Sequence, residues 1–305
     1  MRVAVIGLGV QGTKRQHVAG TDVVATVDPV APSATHRNIR AVPADAYDAA
    51  LVCVPEDVKM ELLAFLLSTG KHVLVEKPLL APVRDLQALV DLAGKHQVAC
   101  YTAYNHRFEP HIVRLRDLFR SGELGRIYSV RLFYGNGTAR NVRESGWRDA
   151  GSGVLRDLGS HLLDLARFLF DGEDMRFDLV SAQCFENCAW DHALAVRRGA
   201  PLIQLEMTFL SWRNHFSCDV LAENGSAHVD SLCKWGTATF THRRRVLPSG
   251  RPIETSVVLD EPDPTWALEY EHFRTMTRTP ATTLRNDLWI NETIERLAVG
   301  PVGKV

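Results

Sequence analysis

The feature that most constrains the fold is a glycine-rich turn near the start of the chain. A short β-branched run, Arg2 to Ile6, leads directly into the turn Gly7-Leu8-Gly9-Val10-Gln11-Gly12, and the following residues suit a helix through Val18. Strand, tight turn and helix in this order are typical of the first unit of a dinucleotide-binding fold. There the first glycine permits the turn, the second lets backbone approach a pyrophosphate, and the third allows close packing of helix on strand. Backbone N–H groups at the helix start then face the phosphate.

The next strand strengthens this interpretation. Residues 22–28 are strand-like and end in Asp28, at the spacing from the first glycine that the dinucleotide fingerprint requires. A carboxylate there can accept hydrogen bonds from both ribose hydroxyls of NAD and would repel the 2′-phosphate of NADP. NAD is therefore the expected cofactor. NADP stays open because Arg37 and Arg40 follow in a loop that could fold back towards a phosphate.

Strands and helices alternate through the first third of the chain. Prolines interrupt the region after Asp28, so a shortened crossover or a loop is predicted there. The elements predicted after it are strand 49–54, helix 56–69, strand 72–75, helix 82–96 and strand 98–103. Alternation of this kind predicts an α/β fold with a doubly wound parallel Rossmann sheet, whose ligands collect beyond the carboxyl ends of the strands. We assign residues 1–104 to this dinucleotide-binding domain.

The rest of the chain, residues 105–305, has a different pattern and is predicted to be an α+β domain for substrate binding and oligomerisation. The predicted elements are helix 109–124, strand 126–134, helix 153–170, strands 179–185, 192–196, 202–209, 216–222 and 227–231, and helices 264–278 and 286–299. Successive strands with a hairpin signal at Asn224-Gly225 indicate a large, mostly antiparallel sheet. In the strand 202–209, Leu205, Met207 and Phe209 alternate with Gln204, Glu206 and Thr208. The polar side of that strand is either a subunit interface or a solvated face.

Residues 153–170 combine an apolar helix with three titratable side chains. Asp157, His161 and Asp164 are three and four residues apart, which places them on one stripe of a helix. Taken alone, such a stripe is more often a solvated edge than a site. A second chemically interesting group stands at a predicted strand end, in Glu76-Lys77-Pro78. Lysine is usually an exposed cation, but here it lies at the edge where nucleotide and substrate must meet.

The order of these motifs resembles the Gfo/Idh/MocA oxidoreductases, which include glucose-fructose oxidoreductase and inositol dehydrogenases. The motifs are GLGVQG at 7–12, the strand-end Asp28, GKHVLVEKPL at 70–79, YNHRFEP at 104–110 and GSGVLRDLGSHLLD at 151–164, and they extend over nearly the whole chain. The chain departs from the family pattern at Lys59, four residues after Pro55, where relatives often have a histidine, and in a short region between Asp28 and Ala44. It keeps His161, which some relatives replace with tyrosine.

The resemblance implies the catalytic residues Lys77, Asp157 and His161, a cis peptide before Pro78, dimers or tetramers formed through the second sheet, and final elements that pack near the first domain. The candidate cofactor-binding residues are Gly7, Gly9, Val10, Gln11, Gly12, Asp28, Pro55, Glu76 and Lys77. The candidate substrate-binding residues are Lys77, Asn105, Arg107, Trp147, Arg148, Asp157 and His161. His106 is a further candidate by its place in the YNHRFEP motif alone.

These residues fit the oxidation of a secondary alcohol. A base must remove the hydroxyl proton while the hydride leaves, and the developing alkoxide needs stabilisation. His161 suits the base because the unperturbed pKa of histidine is about 6.5. Lys77 suits the stabilising cation, Asp157 can orient His161 or bind a neighbouring hydroxyl, and Asp164 is expected to have a structural role that helps to hold the imidazole. The expected substrate is a sugar, a sugar derivative, a cyclitol or a sugar nucleotide. Alternatives are an NAD-dependent glycoside hydrolase, a non-catalytic dinucleotide-binding regulator, and biliverdin-reductase-like chemistry.

Composition argues against nucleic acid and membranes as partners. Lys plus Arg, at 35, nearly balance Asp plus Glu, at 36, so neither nucleic acid nor an anionic membrane is an expected partner. No apolar run approaches the ~20 residues of a membrane span, and a cytoplasmic protein is expected. The six cysteines are scattered and indicate free thiols. Cys184, Cys188 and His192 form a weak alternative as metal ligands, and no metal is expected.

Overall fold

The computed structural model describes residues 1–146, 148–172 and 175–299. The chain divides into two compact units. The first comprises Met1–Asn105 and Trp266–Asn291, and the second comprises His106–Thr265 and the described residues from Glu292 onward. The proposed domain boundary after residue 104 is close to the first division point. Residues 266–291 return to the first unit, so a single cut does not describe the organisation of the chain.

The first unit is built on a five-stranded sheet in the order β2-β1-β3-β4-β5, with all neighbours parallel. Its strands are β1 (Val3–Ile6), β2 (Val23–Val27), β3 (Ala49–Val52), β4 (His72–Glu76) and β5 (Cys100–Ala103). The helices along this part of the chain are α1 (Val10–Ala19), α2 (Glu56–Ser68) and α3 (Val83–His96). Every residue of β1, β3 and β5 is buried, as expected for parallel strands covered on both faces. The predicted Rossmann sheet is confirmed.

The connection between β2 and β3 lacks an α-helix throughout residues 28–48, all of which the structure describes. A short 3₁₀ turn, Ile39–Ala41, occupies this stretch instead. The prediction of a shortened crossover is therefore confirmed. Because the strands are parallel, the residues that follow β1, β2, β3 and β4 all lie at the same carboxyl edge of the sheet, and these include Gly7, Asp28 and Lys77.

The second unit is built on an eight-stranded sheet in the order β13-β12-β11-β10-β6-β9-β8-β7. Its helices are α4 (Pro110–Ser121), α5 (Ala139–Val142) and α6 (Ser160–Leu169), and its strands are β6 (Ile127–Gly135), β7 (Asp178–Gln183), β8 (His192–Arg197), β9 (Leu202–Thr208), β10 (His215–Ala222), β11 (Gly225–Asp230), β12 (Ala238–Arg244) and β13 (Ile253–Leu259). All neighbours pair antiparallel except β6 and β9, which are parallel. The expected large, mostly antiparallel sheet is confirmed. Two further helices follow, α7 (Thr265–Arg278) and α8 (Leu284–Val299), and the division between the units falls within α8.

Three details of the second sheet differ from the sequence prediction. The sequence prediction did not include β12 or β13. The second of these is an exposed edge strand without apolar alternation, which explains why it was missed. The hairpin between β10 and β11 is present, but its two turn residues are Glu223 and Asn224, and Gly225 already pairs with Ala222. Thr208 was predicted on the open side of β9, yet it is buried and its hydroxyl donates to the Asp191 carbonyl.

No helix within the described ranges is both long and apolar enough to cross a membrane.

Candidate functional site

The glycine turn of the first unit has the geometry of a phosphate cradle. Gly7 has a φ of 88°, and a Cβ there would lie 2.4 Å from the Cys53 carbonyl oxygen. A Cβ on Gly12 would lie 1.7 Å from the Gly7 carbonyl oxygen, so only glycine lets the helix approach the strand this closely. A Cβ on Gly9 would meet nothing within 4 Å, which leaves that side of the turn open to a ligand. Val10 and Gln11 are exposed at the start of α1, whose first turn has no side-chain cap and no acidic residue. These features fit a pyrophosphate bound to the backbone N–H groups.

Asp28 is bound to its own turn. Its carboxylate accepts hydrogen bonds from the backbone N–H of Leu8 at 2.8 Å and from those of Val30 and Ala31 at 2.9 Å each. These backbone donors, Leu8 foremost, lower the pKa of Asp28. A carboxylate has about four lone-pair positions, so about one remains for a ligand. Binding of both ribose hydroxyls by this carboxylate thus stays a prediction. The geometry favours a hydrogen bond from one ribose hydroxyl only.

A pocket of about 220 Å³ lies in the first unit beside the glycine turn. Gly7, Pro29, Arg37, Asn38 and Arg40 are among its lining residues. Arg37 donates to the carbonyl of Ala31 at 2.7 Å, and Arg40 lies over the Phe65 ring. Arg37 and Arg40 are the residues that kept NADP as an alternative cofactor in the sequence analysis. Both border a cavity next to the glycine turn.

Lys77 directly follows β4, and the Lys77-Pro78 peptide is cis, as the resemblance implied. The preceding Glu76 is bound by Arg15 of α1, whose Nε donates to Glu76 Oε1 at 2.7 Å. Arg15 also donates to Glu269 at 2.6 Å, and it is fully buried against the Trp266 ring. Glu76 was predicted as a cofactor ligand, and its carboxylate forms part of a buried ion-pair cluster with Arg15 and Glu269.

Pro55, the other predicted cofactor ligand at this edge of the sheet, lies immediately before α2.

The helix of the second unit that carries the titratable stripe has two parts. Residues Leu155–Gly159 form a π-helical turn, and α6 continues from Ser160. Asp157, His161 and Asp164 are 6%, 4% and 0% exposed. The alternative of a solvated edge is therefore wrong, and each group needs a partner or a function to offset its burial. A π-helical turn inside an α-helix is frequent at functional sites.

Arginines bind both carboxylates of this stripe. Arg148 donates from Nε to Asp157 Oδ2 at 2.9 Å and from Nη2 to the Thr138 hydroxyl at 3.0 Å. Arg107 forms a two-pronged ion pair with Asp164, with Nε 2.7 Å from Oδ2. Two of the residues predicted to bind substrate, Arg107 and Arg148, are thus ion-paired with carboxylates of this helix. Paired guanidinium and carboxylate groups of this kind fix each other's orientation.

His161 lies in an aromatic cluster that the sequence did not reveal. Its ring stacks on His106 with centroids 4.0 Å apart, and the Tyr134 ring meets it edge-on at 5.8 Å. Lys234 Nζ lies 2.6 Å from His106 Nε2. Burial, with Asp157 nearby, raises the pKa of Tyr134 above its usual range. Tyr134 had been placed only in a strand and Lys234 in no element, so neither was a candidate. His106 was suggested by its place in the YNHRFEP motif alone.

The remaining candidates are Asn105 and Trp147. Asn105 is buried and begins a 3₁₀ turn, Asn105–Phe108, directly after Tyr104. Trp147 lies outside the described residues.

Potential metal ligands come together at another place in the second unit. Among the described residues, the ligand atoms of Glu109, Cys233 and Asp263 lie within 4.8 Å of one another. The Cys233 thiol donates to Glu109 Oε2 at 2.8 Å. Burial and this carboxylate raise the pKa of the thiol to about 12, which keeps it protonated. A neutral thiol hydrogen-bonded to a carboxylate accounts for this pair. Cys184 and Cys188 are both exposed free thiols in the loop between β7 and β8.

Two family models match the chain. Residues 1–104 match the oxidoreductase family with an NAD-binding Rossmann fold, and residues 112–228 match the GFO/IDH/MocA C-terminal domain. The chain belongs to the Gfo/Idh/MocA family. Both parts of the resemblance seen in the sequence are therefore confirmed, and the Rossmann unit with its glycine cradle is the NAD-binding part of a family of oxidoreductases.

Relatives within the Gfo/Idh/MocA family include two curated proteins. Glucose-6-phosphate 3-dehydrogenase of Bacillus subtilis is 30% identical over 134 residues, which cover 42% of this chain and 38% of that protein. Inositol 2-dehydrogenase of Rhizobium meliloti is 26% identical over 159 residues, covering 51% of this chain and 46% of that protein. The matched stretch thus spans less than half the length of either relative.

A solved structure matches over nearly the whole length. The inositol dehydrogenase homologue from Azotobacter vinelandii, complexed with NADH and myo-inositol, superposes with a TM-score of 0.80 at 18% identity. The match covers 98% of this chain and 94% of that one. At this identity the likeness establishes the shared fold.

Proposed function

We propose that this protein is an NAD-dependent dehydrogenase, with NADP as the other possible cofactor, that interconverts a secondary alcohol and a ketone of a sugar, sugar derivative or cyclitol. The observation that carries the proposal is the burial of His161 and Asp157 on one helix, with Asp157 bound by Arg148. A purely structural helix has little reason to bury two titratable groups one turn apart. The names of the relatives, dehydrogenases of glucose 6-phosphate and of inositol, support the substrate class.

The proposal assigns the cofactor to the first unit. The backbone of Gly7–Gly12 would bind the pyrophosphate, and Asp28 would accept a hydrogen bond from the adenosine ribose. The open side of Gly9 supports this assignment. When bound, NAD supplies the hydride acceptor. Glu76 ends β4, Lys77 directly follows it, and Pro55 comes shortly after β3, so all three lie at the carboxyl edge of the sheet, where the nicotinamide end would lie.

The proton steps belong to this chain's own side chains. His161 accepts the proton of the substrate hydroxyl as the carbon loses its hydride, and it returns the proton in the reverse reaction. Lys77 donates a hydrogen bond to the same oxygen and stabilises its developing negative charge. Asp157, fixed by Arg148, orients the imidazole or binds a neighbouring hydroxyl. Asn105, Arg107, Trp147 and Arg148 remain the proposed contacts for the rest of the substrate.

Assembly and location are part of the same proposal. We expect a homodimer or homotetramer formed through the second sheet, whose open face carries the Arg131–Glu206 ion pair between β6 and β9. A cytoplasmic location agrees with the six cysteines, all of which are free thiols.

The role of His161 can be tested by replacing it with asparagine. We expect His161→Asn to lower kcat by at least roughly tenfold, because general acid–base catalysis is typically worth about 10² to 10⁴ in rate. His96→Asn, at the end of α3, is the matched control and should leave turnover unchanged. Circular dichroism would show that both variants fold. Near-wild-type turnover of His161→Asn would refute the assignment.

A further inference from the structure

A buried lysine holds the turn that carries Lys77. Lys59, on α2, is 2% exposed, and its Nζ donates to the carbonyl oxygens of Glu76 at 2.8 Å and Pro78 at 2.7 Å. These two carbonyls stand on either side of Lys77. The ammonium also binds the carboxylate of Glu56, one turn earlier on α2. An ammonium has three N–H donors, so all three are in use.

The residues after Lys77 are held in the same way. The Asn291 side chain donates to the Leu79 carbonyl at 2.8 Å and accepts from the Ala81 N–H at 3.1 Å. Glu56 accepts from the Leu80 N–H at 3.5 Å. Arg15 binds the Glu76 side chain. The backbone from Glu76 to Ala81 is therefore fixed by side chains of the first unit on both sides of Lys77.

We propose that Lys59 is a positioning residue that sets the direction of the Lys77 side chain. This inference rests on the proposed function, in which Lys77 stabilises the substrate oxygen. The Glu76 carbonyl belongs to the peptide that precedes Lys77, and the Pro78 carbonyl belongs to the peptide that follows Pro78. One ammonium therefore holds the backbone on both sides of the Lys77-Pro78 pair and restrains the direction of the Cα–Cβ bond of Lys77. Charge-assisted hydrogen bonds are roughly twice as strong as neutral ones and low dielectric strengthens them further, so this buried cation restrains the turn more than a neutral donor would. Misplacement of a catalytic group by about 1 Å can cost roughly 10²-fold in rate.

The simpler alternative is that Lys59 only neutralises Glu56 and supports the packing of α2. Both ideas predict some loss of stability when the lysine is removed. They differ in two observables, which are the mobility of the turn itself and the dependence of the kinetic effect on Lys77.

Amide hydrogen exchange tests the first observable without any substrate. In Lys59→Met we expect the amides of Lys77, Leu79, Leu80 and Ala81 to exchange at least about tenfold faster, because local opening of the turn becomes easier. The buried strand β3 should be unaffected. Lys71→Met is the matched control, since Lys71 lies in the same unit and also binds two backbone carbonyls, those of Ala44 and Tyr47. Unchanged exchange at these four amides in Lys59→Met would overturn the proposal.

A double-mutant cycle tests the second observable. With NAD and myo-inositol as the first substrate pair, then other polyols, we expect Lys59→Met to lower kcat roughly 10- to 100-fold with little change in the Kd for NAD. In the Lys77→Met background the same replacement should change kcat by less than about twofold, because residues that act through one another are not additive. An equal loss in both backgrounds would show a general structural role and overturn the proposal.

The amide exchange measurement and the double-mutant cycle together distinguish a failure of this inference from a failure of the proposed function. If Lys77→Met itself leaves turnover intact, the role of Lys77 fails, while the exchange data still report whether Lys59 holds the turn. If Lys59→Met does not fold, Lys59→Gln replaces it in both experiments. Its amide can reach only part of the set of acceptors, so it should give the same pattern with a smaller loss of kcat.

Discussion

The carboxylate of Asp28 accepts hydrogen bonds from three backbone N–H groups and still carries its negative charge beside the pocket that Arg37 and Arg40 line. The three donors stabilise the ionised form and so lower the pKa of Asp28. Its charge disfavours a phosphate, whereas the two guanidinium groups favour one. Cofactor choice at this site is thus a balance between one carboxylate and two arginines.

Removing the charge of Asp28 should shift this balance. We expect Asp28→Asn to lower the ratio of kcat/KM for NAD to that for NADP by about tenfold or more, equivalent to about 1.4 kcal/mol. Asp57→Asn removes an equal charge from the exposed first turn of α2 and should leave the ratio unchanged. Steady-state kinetics with both cofactors measure the ratio. A wild-type preference for NADP would contradict the assignment.

Glu269 gives the first unit a pH-dependent stability. It is fully buried between Arg15 and Tyr101, and burial raises its pKa to about 7. A raised pKa in the folded state favours the protonated form. Its contribution to stability is therefore fully present below the unfolded-state pKa of about 4.3 and is lost as the pH rises through about 7.

Glu269→Gln keeps the neutral shape of this side chain at every pH. We expect its Tm, relative to that of the wild type, to rise between about pH 5 and about pH 8, because the wild type alone bears the cost of ionising a buried carboxyl. Thermal unfolding at both pH values measures the difference. A relative Tm that falls over this range would show that the ionised carboxylate, paired with Arg15, is the stabilising form.

At the scale of elements, spacing in the sequence located the strand, turn and helix of the cofactor cradle and the helix with its titratable stripe. It could not find the partners of that stripe. Arg107 is 57 positions from Asp164, and Lys234 is 128 positions from His106. Such pairs depend on which strands and helices become neighbours, which no local pattern specifies. The π-helical turn also escaped prediction, since its residues fit an ordinary α-helix.

The contact between β1 and α1 depends on one glycine, and this can be measured. Gly12→Ala should destabilise the protein by more than about 1 kcal/mol and abolish NAD binding, because its Cβ would overlap the Gly7 carbonyl. Gly94→Ala, in α3, is the control, since its Cβ would meet nothing within 4 Å. It should stabilise the protein by roughly 0.5–1 kcal/mol, the helix-propensity difference. Urea unfolding gives both values. Equal effects of the two changes would contradict this account.

At the scale of the whole molecule, the chain combines a Rossmann unit that the family uses to bind NAD with an α+β unit that buries a histidine and two carboxylates on one helix. Fold class followed from the sequence because alternating strands and helices leave few arrangements. The return of residues 266–291 to the first unit was implied only by the family resemblance, because an amphipathic helix near the end of a chain can pack against either sheet.

The central claim, NAD-linked oxidation of a polyol, is tested most directly by measuring NADH formation from NAD with a panel of hexoses, hexose phosphates, anhydrosugars, sugar nucleotides and inositols. The account predicts that at least one member gives NADH and the corresponding ketone in equal amounts. It would be contradicted by a protein that binds NAD but releases the phenol from an activated glycoside without any accumulation of NADH.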